Sequence, residues 1–469
     1  MINLILLFPI LACFIIFLFK NKNLSNMMIT LYAIIHLVTS GLIGLGIIPE
    51  LSQNKFFAID NLNKIFLIVL SIVYMAVAIY NNEYMKNENI NKLRHYAYAV
   101  LLFIFSMTGA ILSTNLGIMW IFIEGTTLAS AYLIYFHKTK HSIEAAWKYV
   151  FICSIGIALA FVGIILLTVA TGNLSSLYWA DLYKNAHLFN PFWLKMAFVF
   201  IMFGIGTKMG LAPVHFWLPD AHAEAPSPIS ALLSATLLNS AFLMILNVFK
   251  ITILAGCDGY ARLMLSVMGF LSLFIAAVFV YHINNYKRML AYSSVENMGI
   301  LAIGTALGGN AMIAVILHLI GHSFIKASFF LTSGNILKIY DTKKIKSITG
   351  LMITDKKTGW LWLLSFIGIT ALPPSVLFIS EFLTIKTMLE KWSYILPIIF
   401  LILLTIILYG IGKAVLSMSF GNEKINVNRQ DFDNRMYVPQ FVLIILAFIL
   451  GLYIPQDFSN IIYNAVIGF

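Results

Sequence analysis

A lysine inside an apolar run offers the clearest chemistry in this sequence. Lys208 stands in Phe198-Val-Phe-Ile-Met-Phe-Gly-Ile-Gly-Thr-Lys-Met-Gly-Leu-Ala-Pro213, a stretch long enough to cross much of a lipid bilayer. An ammonium at mid-membrane costs roughly 2.5–3.5 kcal/mol on insertion scales, and such groups usually face a bundle interior, find a partner and mark an ion pathway. Glu124 stands in a comparable run, Gly117-Ile-Met-Trp-Ile-Phe-Ile-Glu-Gly-Thr-Thr-Leu-Ala-Ser-Ala-Tyr132. A lone carboxylate out of water tends to take up a proton, and a nearby cation reverses that tendency. Lys208 is the candidate cation. The pair reads either as a switchable proton site or as a static strut, and intramembrane charges favour the first.

His318, His322 and Lys326 follow at i, i+4 and i+8, which stacks them on one helix face. Two histidines at that spacing can ligate a metal, but no third ligand is near in sequence. A proton relay fits better, because imidazole titrates near neutral pH. His318 alone serves equally well as a hydrogen-bonded packing residue. Glu381, in Ala371-Leu-Pro-Pro-Ser-Val-Leu-Phe-Ile-Ser-Glu-Phe382, could end the same polar row or make an interhelical hydrogen bond. Glu296, in Ala291-Tyr-Ser-Ser-Val-Glu-Asn-Met-Gly299, is an input or a structural residue. Asn239 holds the middle of Ser230-Ala-Leu-Leu-Ser-Ala-Thr-Leu-Leu-Asn-Ser-Ala241. It can bind water but cannot titrate. Glu144 and Lys148 form an i, i+4 surface pair of small worth, and Lys386 is expected to snorkel to an interface.

The elements that must position these groups follow from composition. The chain has 469 residues, of which 61% are hydrophobic and 10% charged. Soluble domains are nearer 25% charged, so the fold class is an all-α polytopic membrane protein. Apolar runs fall near 2–19, 27–48, 62–80, 96–113, 116–136, 146–171, 193–212, 228–250, 261–283, 290–307, 311–337, 359–389, 393–417 and 437–455, about fourteen spans at ~20 residues each. The start, Met1-Ile-Asn-Leu-Ile-Leu-Leu-Phe8, has no basic flank or cleavage site and reads as a retained first helix. The net charge of +11 sits in short loops, which argues against nucleic acid and for membrane topology. Basic residues fill alternate loops: Lys20/Lys22, Lys86/Lys92/Arg94, Lys138/Lys140, Lys287/Arg288, Lys338 to Lys357, and Lys413/Lys424/Arg429/Arg435. Those loops should be cytoplasmic, and the loops with Glu50, Asp60 and Asp181 external, with both termini outside. Cys13, Cys153 and Cys257 are isolated in apolar segments and imply neither metal nor redox centre.

Two breaks divide the chain. Gly210 and Pro213 interrupt one span, Pro373 and Pro374 another. Each falls in the fourth span of a five-span block, 96–250 and 261–417, between an N-terminal segment 1–95 and a C-terminal loop and helix 418–469. An odd number of spans per block makes the second copy inverted, and matched interruptions point to paths near the midplane. Two unrelated prolines remain the simpler alternative.

The strings Thr207-Lys-Met-Gly-Leu-Ala-Pro-Val-His-Phe-Trp-Leu-Pro-Asp-Ala-His-Ala-Glu-Ala-Pro-Ser-Pro228, Tyr286-Lys-Arg-Met-Leu-Ala-Tyr-Ser-Ser294 and His322-Ser-Phe-Ile-Lys-Ala-Ser-Phe-Phe-Leu331 resemble the antiporter-like, proton-translocating membrane subunits of respiratory complex I, multisubunit cation/proton antiporters and membrane-bound group 4 [NiFe]-hydrogenases. The resemblance covers nearly the whole chain. Ala145-Ala-Trp-Lys-Tyr-Val-Phe-Ile-Cys-Ser-Ile-Gly-Ile-Ala-Leu-Ala160, Ala225-Pro-Ser-Pro-Ile-Ser230 and Ser293-Ser-Val-Glu-Asn-Met-Gly299 are most similar to the hydrogenase-4 (formate hydrogenlyase) branch. It implies fourteen helices, two inverted five-helix repeats and broken seventh and twelfth helices. By this likeness Glu124 matches the fifth-helix glutamate, Lys208 its lysine partner, His322 and Lys326 the eleventh-helix pair, and Glu381 the exit residue. Asn239 departs from the pattern, standing where many members carry lysine or histidine. The implied setting is a bacterial inner membrane, with other membrane subunits and a peripheral redox arm as partners. Nickel–iron and iron–sulfur centres belong to those partners and no cofactor to this chain. A sodium/proton antiporter subunit or an NADH:quinone oxidoreductase subunit is the alternative, and a stand-alone solute transporter the competitor from another class.

Overall fold

The computed structural model describes residues 2–19, 21–46, 55–172, 174, 176–422 and 432–469. Lys20, Glu50, Lys424 and Arg429, used above for orientation, lie outside them. The first blocks of helix are α1 (Ile2–Leu18), α2 (Lys22–Gly44), α3 (Asn61–Tyr84), α4 (Ile90–Leu112), α5 (Leu116–Ile134) and α6 (Lys140–Ala170). A short surface helix, α7 (Trp179–Asn185), leads to α8 (Pro191–Met209), a break, and α9 (Trp217–Glu224). Then come α10 (Ser227–Leu232), a single π turn (Leu233–Leu237), and α11 (Leu238–Leu254). The second half holds α12 (Asp258–His282), α13 (Tyr286–Leu307), α14 (Asn310–Tyr340), a short α15 (Leu351–Thr354), α16 (Lys356–Ile369), a second break, α17 (Val376–Lys391) and α18 (Ile395–Ser419). The chain closes with α19 (Val438–Leu452) and α20 (Gln456–Val466), bent 85° from each other. The protein is all-helical; the described residues form no strand beyond isolated bridges.

Helix starts are set by short polar side chains. Asn21, Asp60, Asn89, Asn115, Thr139, Asn190, Asn285, Asp355 and Ser375 each accept a hydrogen bond from a first-turn amide. Each such cap is worth about 1 kcal/mol. Every apolar run read from the sequence coincides with a helix or a broken helix pair. Ten of the described helices are long and apolar enough to cross a membrane alone, or eleven counting the bent pair. The expected fourteen includes three that miss that measure for local reasons. α1 is short, with 17 residues. α13 carries Lys287, Arg288 and Glu296. The run at 359–389 is split into α16 and α17. The short helices α7, α9, α15 and α20 went unpredicted, α20 because it is amphipathic and short.

The two breaks share one hydrogen-bond pattern. At the first, Gly210 is left-handed (φ +78°), Gly210 N–H donates to Thr207 O at 3.3 Å, and Leu211 N–H to Gly206 O at 2.9 Å. At the second, Ala371 is left-handed (φ +51°), Ala371 N–H donates to Gly368 O at 3.4 Å, and Leu372 N–H to Ile367 O at 3.2 Å. Both are Schellman endings, which satisfy carbonyls that a terminating helix orphans. The next carbonyl is also served alike: Trp217 Nε1–H donates to Thr207 O at 2.7 Å, and Ser375 Oγ–H to Gly368 O at 3.0 Å. In each case an X–Pro bond, before Pro213 and before Pro374, is cis. Because alanine stands where glycine is favoured, Ala371→Gly should stabilise the protein by about 1 kcal/mol. A thermal midpoint in detergent that rises for this variant is the expected observation.

Close helix contact depends on small residues. A methyl on Gly204 would lie 2.5 Å from Gly156 O and Ala160 N, so α8 touches α6 backbone to backbone. Gly269 and Gly299 join α12 to α13 in the same way, each 2.8 Å from the other's carbonyl by the same measure. α14 runs through the middle of the molecule and packs on α10, α13, α16, α17 and α19.

Candidate functional site

In the first half, Lys208 occupies the last turn of α8, just before the left-handed Gly210. It is fully buried. Its Nζ donates to Tyr149 Oη at 2.8 Å and lies 4.7 Å from the centre of that ring. Tyr149 Oη in turn sits 2.6 Å from Ser130 Oγ on α5. Glu124, half-buried on α5, accepts instead from Thr127 Oγ1 at 3.0 Å. Among the described residues, no ion pair within 4.0 Å joins Glu124 to Lys208. The reason lies in the packing. α6 meets α8 backbone to backbone, so Tyr149 reaches the lysine first, while α5 packs chiefly on α4 and α6. Tyr149, not Glu124, is thus the hydrogen-bond partner of Lys208, and Glu124 acts on the lysine through space. Tyr149→Phe should destabilise by about 1–3 kcal/mol, because it leaves a buried ammonium without its oxygen. The check is the thermal midpoint in detergent beside that of the parent.

Between the halves stands Asn239, 3% exposed, at the start of α11 immediately beyond the π turn. Its Nδ2 donates to Ala235 O at 2.8 Å and to Ser323 Oγ on α14 at 2.7 Å. Ser323 is the neighbour of His322. Within the π turn, Ser234 Oγ meets Ser294 Oγ of α13 at 2.8 Å. One irregular turn thus ties the last span of the first block to two helices of the second.

On α14 the expected row is present as a buried stripe. His318, His322 and Lys326 have at most 1% exposure. Lys326 Nζ donates to Leu290 O on α13 at 2.8 Å. Glu296, also buried on α13, accepts from Ser293 Oγ at 3.1 Å and lies within electrostatic reach of Lys326 without ion-pair contact. Neither ring nitrogen of His322 makes a well-aligned hydrogen bond. His318 joins three helices: its Nε2 faces Asn297 Oδ1 at 3.0 Å, and its Nδ1 faces Ser380 Oγ at 2.9 Å. Asn297 Nδ2 is engaged by Ser293 O at 2.6 Å, so its oxygen faces His318 and assigns the proton of a neutral ring to Nε2. Ser380 precedes Glu381, which is half-buried on α17 beyond the second break. The structure therefore places His318, Asn297, Ser380 and Glu381 in one chain of neighbours, whereas Glu381 makes no ion pair among the described residues.

Several contributors carry no sequence signal. Tyr149, Ser130, Ser323, Asn297 and Ser380 are polar residues of common type inside helices, and only their contacts single them out. Glu144 and Lys148 pair at 2.6 Å as expected, but Lys148 also reaches Asp220 of α9 at 3.2 Å. Asp220 binds Arg288 of α13 at 2.5 Å as well, so the surface pair is one end of a clasp across three helices. Lys386 is exposed.

The sequence matches, over residues 113–407, the family described as NADH:quinone oxidoreductase/Mrp antiporter, transmembrane. That range contains every charged or polar residue of the site described above. The hydrogenase-4 component F homolog of Methylacidiphilum infernorum (isolate V4) is 32% identical over 467 residues, with 96% of each chain covered. Hydrogenase-4 component B of Escherichia coli (strain K12) is 27% identical, and there this chain, with 69% of its length, covers 50% of the relative. A chain of the membrane-bound sulfane sulfur reductase, an archaeal respiratory membrane complex, shares the fold with a TM-score of 0.87 at 22% identity, covering 100% of this chain and 97% of that one. The chain thus belongs to the antiporter-like membrane subunits of the NADH:quinone oxidoreductase/Mrp antiporter family.

Proposed function

We propose that this chain is the proton-translocating subunit of a membrane-bound, hydrogenase-type redox complex in a bacterial inner membrane, with both termini outside. The supporting observation is the buried row itself: Lys208 and Lys326 at full burial, with Asn239 between them bonded to Ser323, the neighbour of His322. The near full-length likeness to a hydrogenase-4 component F homolog favours the hydrogenase branch. Residues 96–250 and 261–417 form the two inverted halves, flanked by 1–95 and 418–469. Other membrane subunits and a peripheral arm bearing nickel–iron and iron–sulfur centres supply the electrons.

Protons enter from the cytoplasmic side, load Lys208 and Lys326, and leave outward near Glu381. Glu124 acts on Lys208 at a distance, through space, and Glu296 acts on Lys326. Desolvation makes an ammonium easier to discharge and a nearby carboxylate makes it harder, so small movements of either carboxylate gate the load. Asn239 contributes hydrogen bonds only, and a proton crosses there by way of water. His318 and His322 link Lys326 to Glu381 through Asn297 and Ser380.

Purification of the tagged protein from its own membrane in mild detergent, followed by mass spectrometry, tests the assignment. A nickel-hydrogenase large subunit with iron–sulfur partners supports it. A flavin-containing NADH module would move the chain to a quinone oxidoreductase. Small membrane subunits alone would favour the cation antiporter, a reading that the family description also suits.

A further inference from the structure

His222 is a buried imidazole that the row above does not use. It is 0% exposed, and neither ring nitrogen has a hydrogen-bond partner. Leaving buried polar atoms unpaired costs roughly 1–3 kcal/mol each, so leucine or methionine would pack here more favourably. The ring is nevertheless held in place. It stacks on Phe330 of α14, with centroids 4.7 Å apart and 16° between planes, while Ser230 Oγ–H donates to its carbonyl at 3.0 Å.

The surroundings give that position a direction. Phe330 lies one turn beyond Lys326 on the same face of α14, so it extends the His318–His322–Lys326 stripe towards Lys338 and Lys343. Two residues after His222, Glu224 pairs with Lys343 at 3.0 Å, and both are partly exposed. Lys287 of α13 donates to Ala225 O at 2.9 Å. Lys148 of α6 and Arg288 of α13 hold Asp220, half a turn before His222 on α9. His137, in the turn after α5, belongs to the same rim; burial first, then Lys287 and Lys343, depress its pKa to about 4, so it is uncharged at neutral pH. Lys326 and Lys287 are the charges within reach of the His222 ring itself.

We propose that His222 relays protons between the Glu224–Lys343 rim and Lys326, loading the second half directly, while Lys208 takes a separate proton and transport needs both loads. The neutral ring accepts a proton on one nitrogen from the Lys287 ammonium, which regains one from the Glu224–Lys343 rim, and releases the proton of the other nitrogen to the uncharged Lys326 amine. Atoms and charge balance, and a ring flip resets the relay. Such a feed answers a difficulty of the row itself, since Asn239 carries no titratable proton. The relay rests on the transport reading proposed above.

The test uses the complex purified from its native membrane, reconstituted in liposomes that enclose a pH-sensitive dye, with a potassium gradient and valinomycin as driving force. His222→Ala should lower the proton flux about tenfold, short of the roughly 10²–10⁴-fold of a positioned acid–base group, because the water path past Asn239 still loads Lys326. Added imidazole should restore a large part of it. A parent-like flux in assembled His222→Ala overturns the relay, as does a loss that imidazole leaves unrepaired with an unchanged pH profile, which marks a packing role. Should the alanine variant fail to assemble, His222→Gln decides: a parent-like flux and pH profile overturn the relay, and a reduced flux with an altered profile supports it. Lys208→Met and Lys326→Met run beside these. If both conduct like the parent, the transport reading itself has failed, a result separate from any on His222.

Discussion

Lys208→Met abolishes proton transport while the subunit still assembles: this is the largest functional effect expected of one substitution. The loss should be about a hundredfold or more, as for removal of a positioned proton carrier. Assembly should survive because methionine fills a similar volume without an ammonium to desolvate, and replacing a buried charge by an apolar residue is often neutral or stabilising. Tyr149 keeps its contact with Ser130, so its hydroxyl is not orphaned. Lys208→Arg separates charge from proton exchange. Arginine keeps the positive charge facing Tyr149 but does not give up its proton. It should be as inactive as methionine. A conducting arginine variant would show that Lys208 serves as a fixed charge. Proton flux and redox turnover measured on one preparation distinguish these results.

Gly451→Val should be the most destabilising substitution at a single glycine. Gly451 lies near the end of α19 and faces the second break. A methyl there would overlap the carbonyl oxygen of Pro374 and approach Ser375 C and Val376 N to 2.6 Å. All three are backbone atoms, so no side chain can turn aside. Overpacking against yielding neighbours costs 1–3 kcal/mol, and about 3 kcal/mol or more is expected where only backbone can move. The first turns of α17 would shift with it, and these carry Ser380 and Glu381. A sharp fall in the thermal midpoint in detergent is the expected reading. Gly259→Ala provides the control, since nothing lies within 4 Å of the added atom, and its midpoint should hold or rise.

The legible part of this molecule was what long-range solvation decides. A run of apolar residues is a helix whatever its neighbours, so each predicted span coincides with a long helix or a broken helix pair. A lysine among phenylalanines must be buried wherever the helices go. The breaks were visible because Gly210, Pro213, Pro373 and Pro374 act locally. Contacts between helices were not visible. Whether Glu124 touches Lys208 depends on α5, α6 and α8 meeting in a particular order, and Gly156 and Gly204 set that order through a backbone contact that pattern alone does not predict. The same holds for Ser323 beneath Asn239 and for Ser380 beside His318. His222 sits in a motif that was quoted whole, yet only its empty hydrogen-bond valences set it apart.

The π turn at Leu233–Leu237 behaves like a phase shifter in a helical thread. One surplus residue in an α-helix advances everything beyond it by about 100°. Ahead of the shift, Ser230 points back to α9; beyond it, Asn239 points to Ser323 on α14. Excising one residue from this turn would leave a smoother, more regular helix with Asn239 aimed elsewhere. Helical regularity and the bridge between the two halves are therefore opposed at this point of the chain, and the irregular form is the one this sequence keeps.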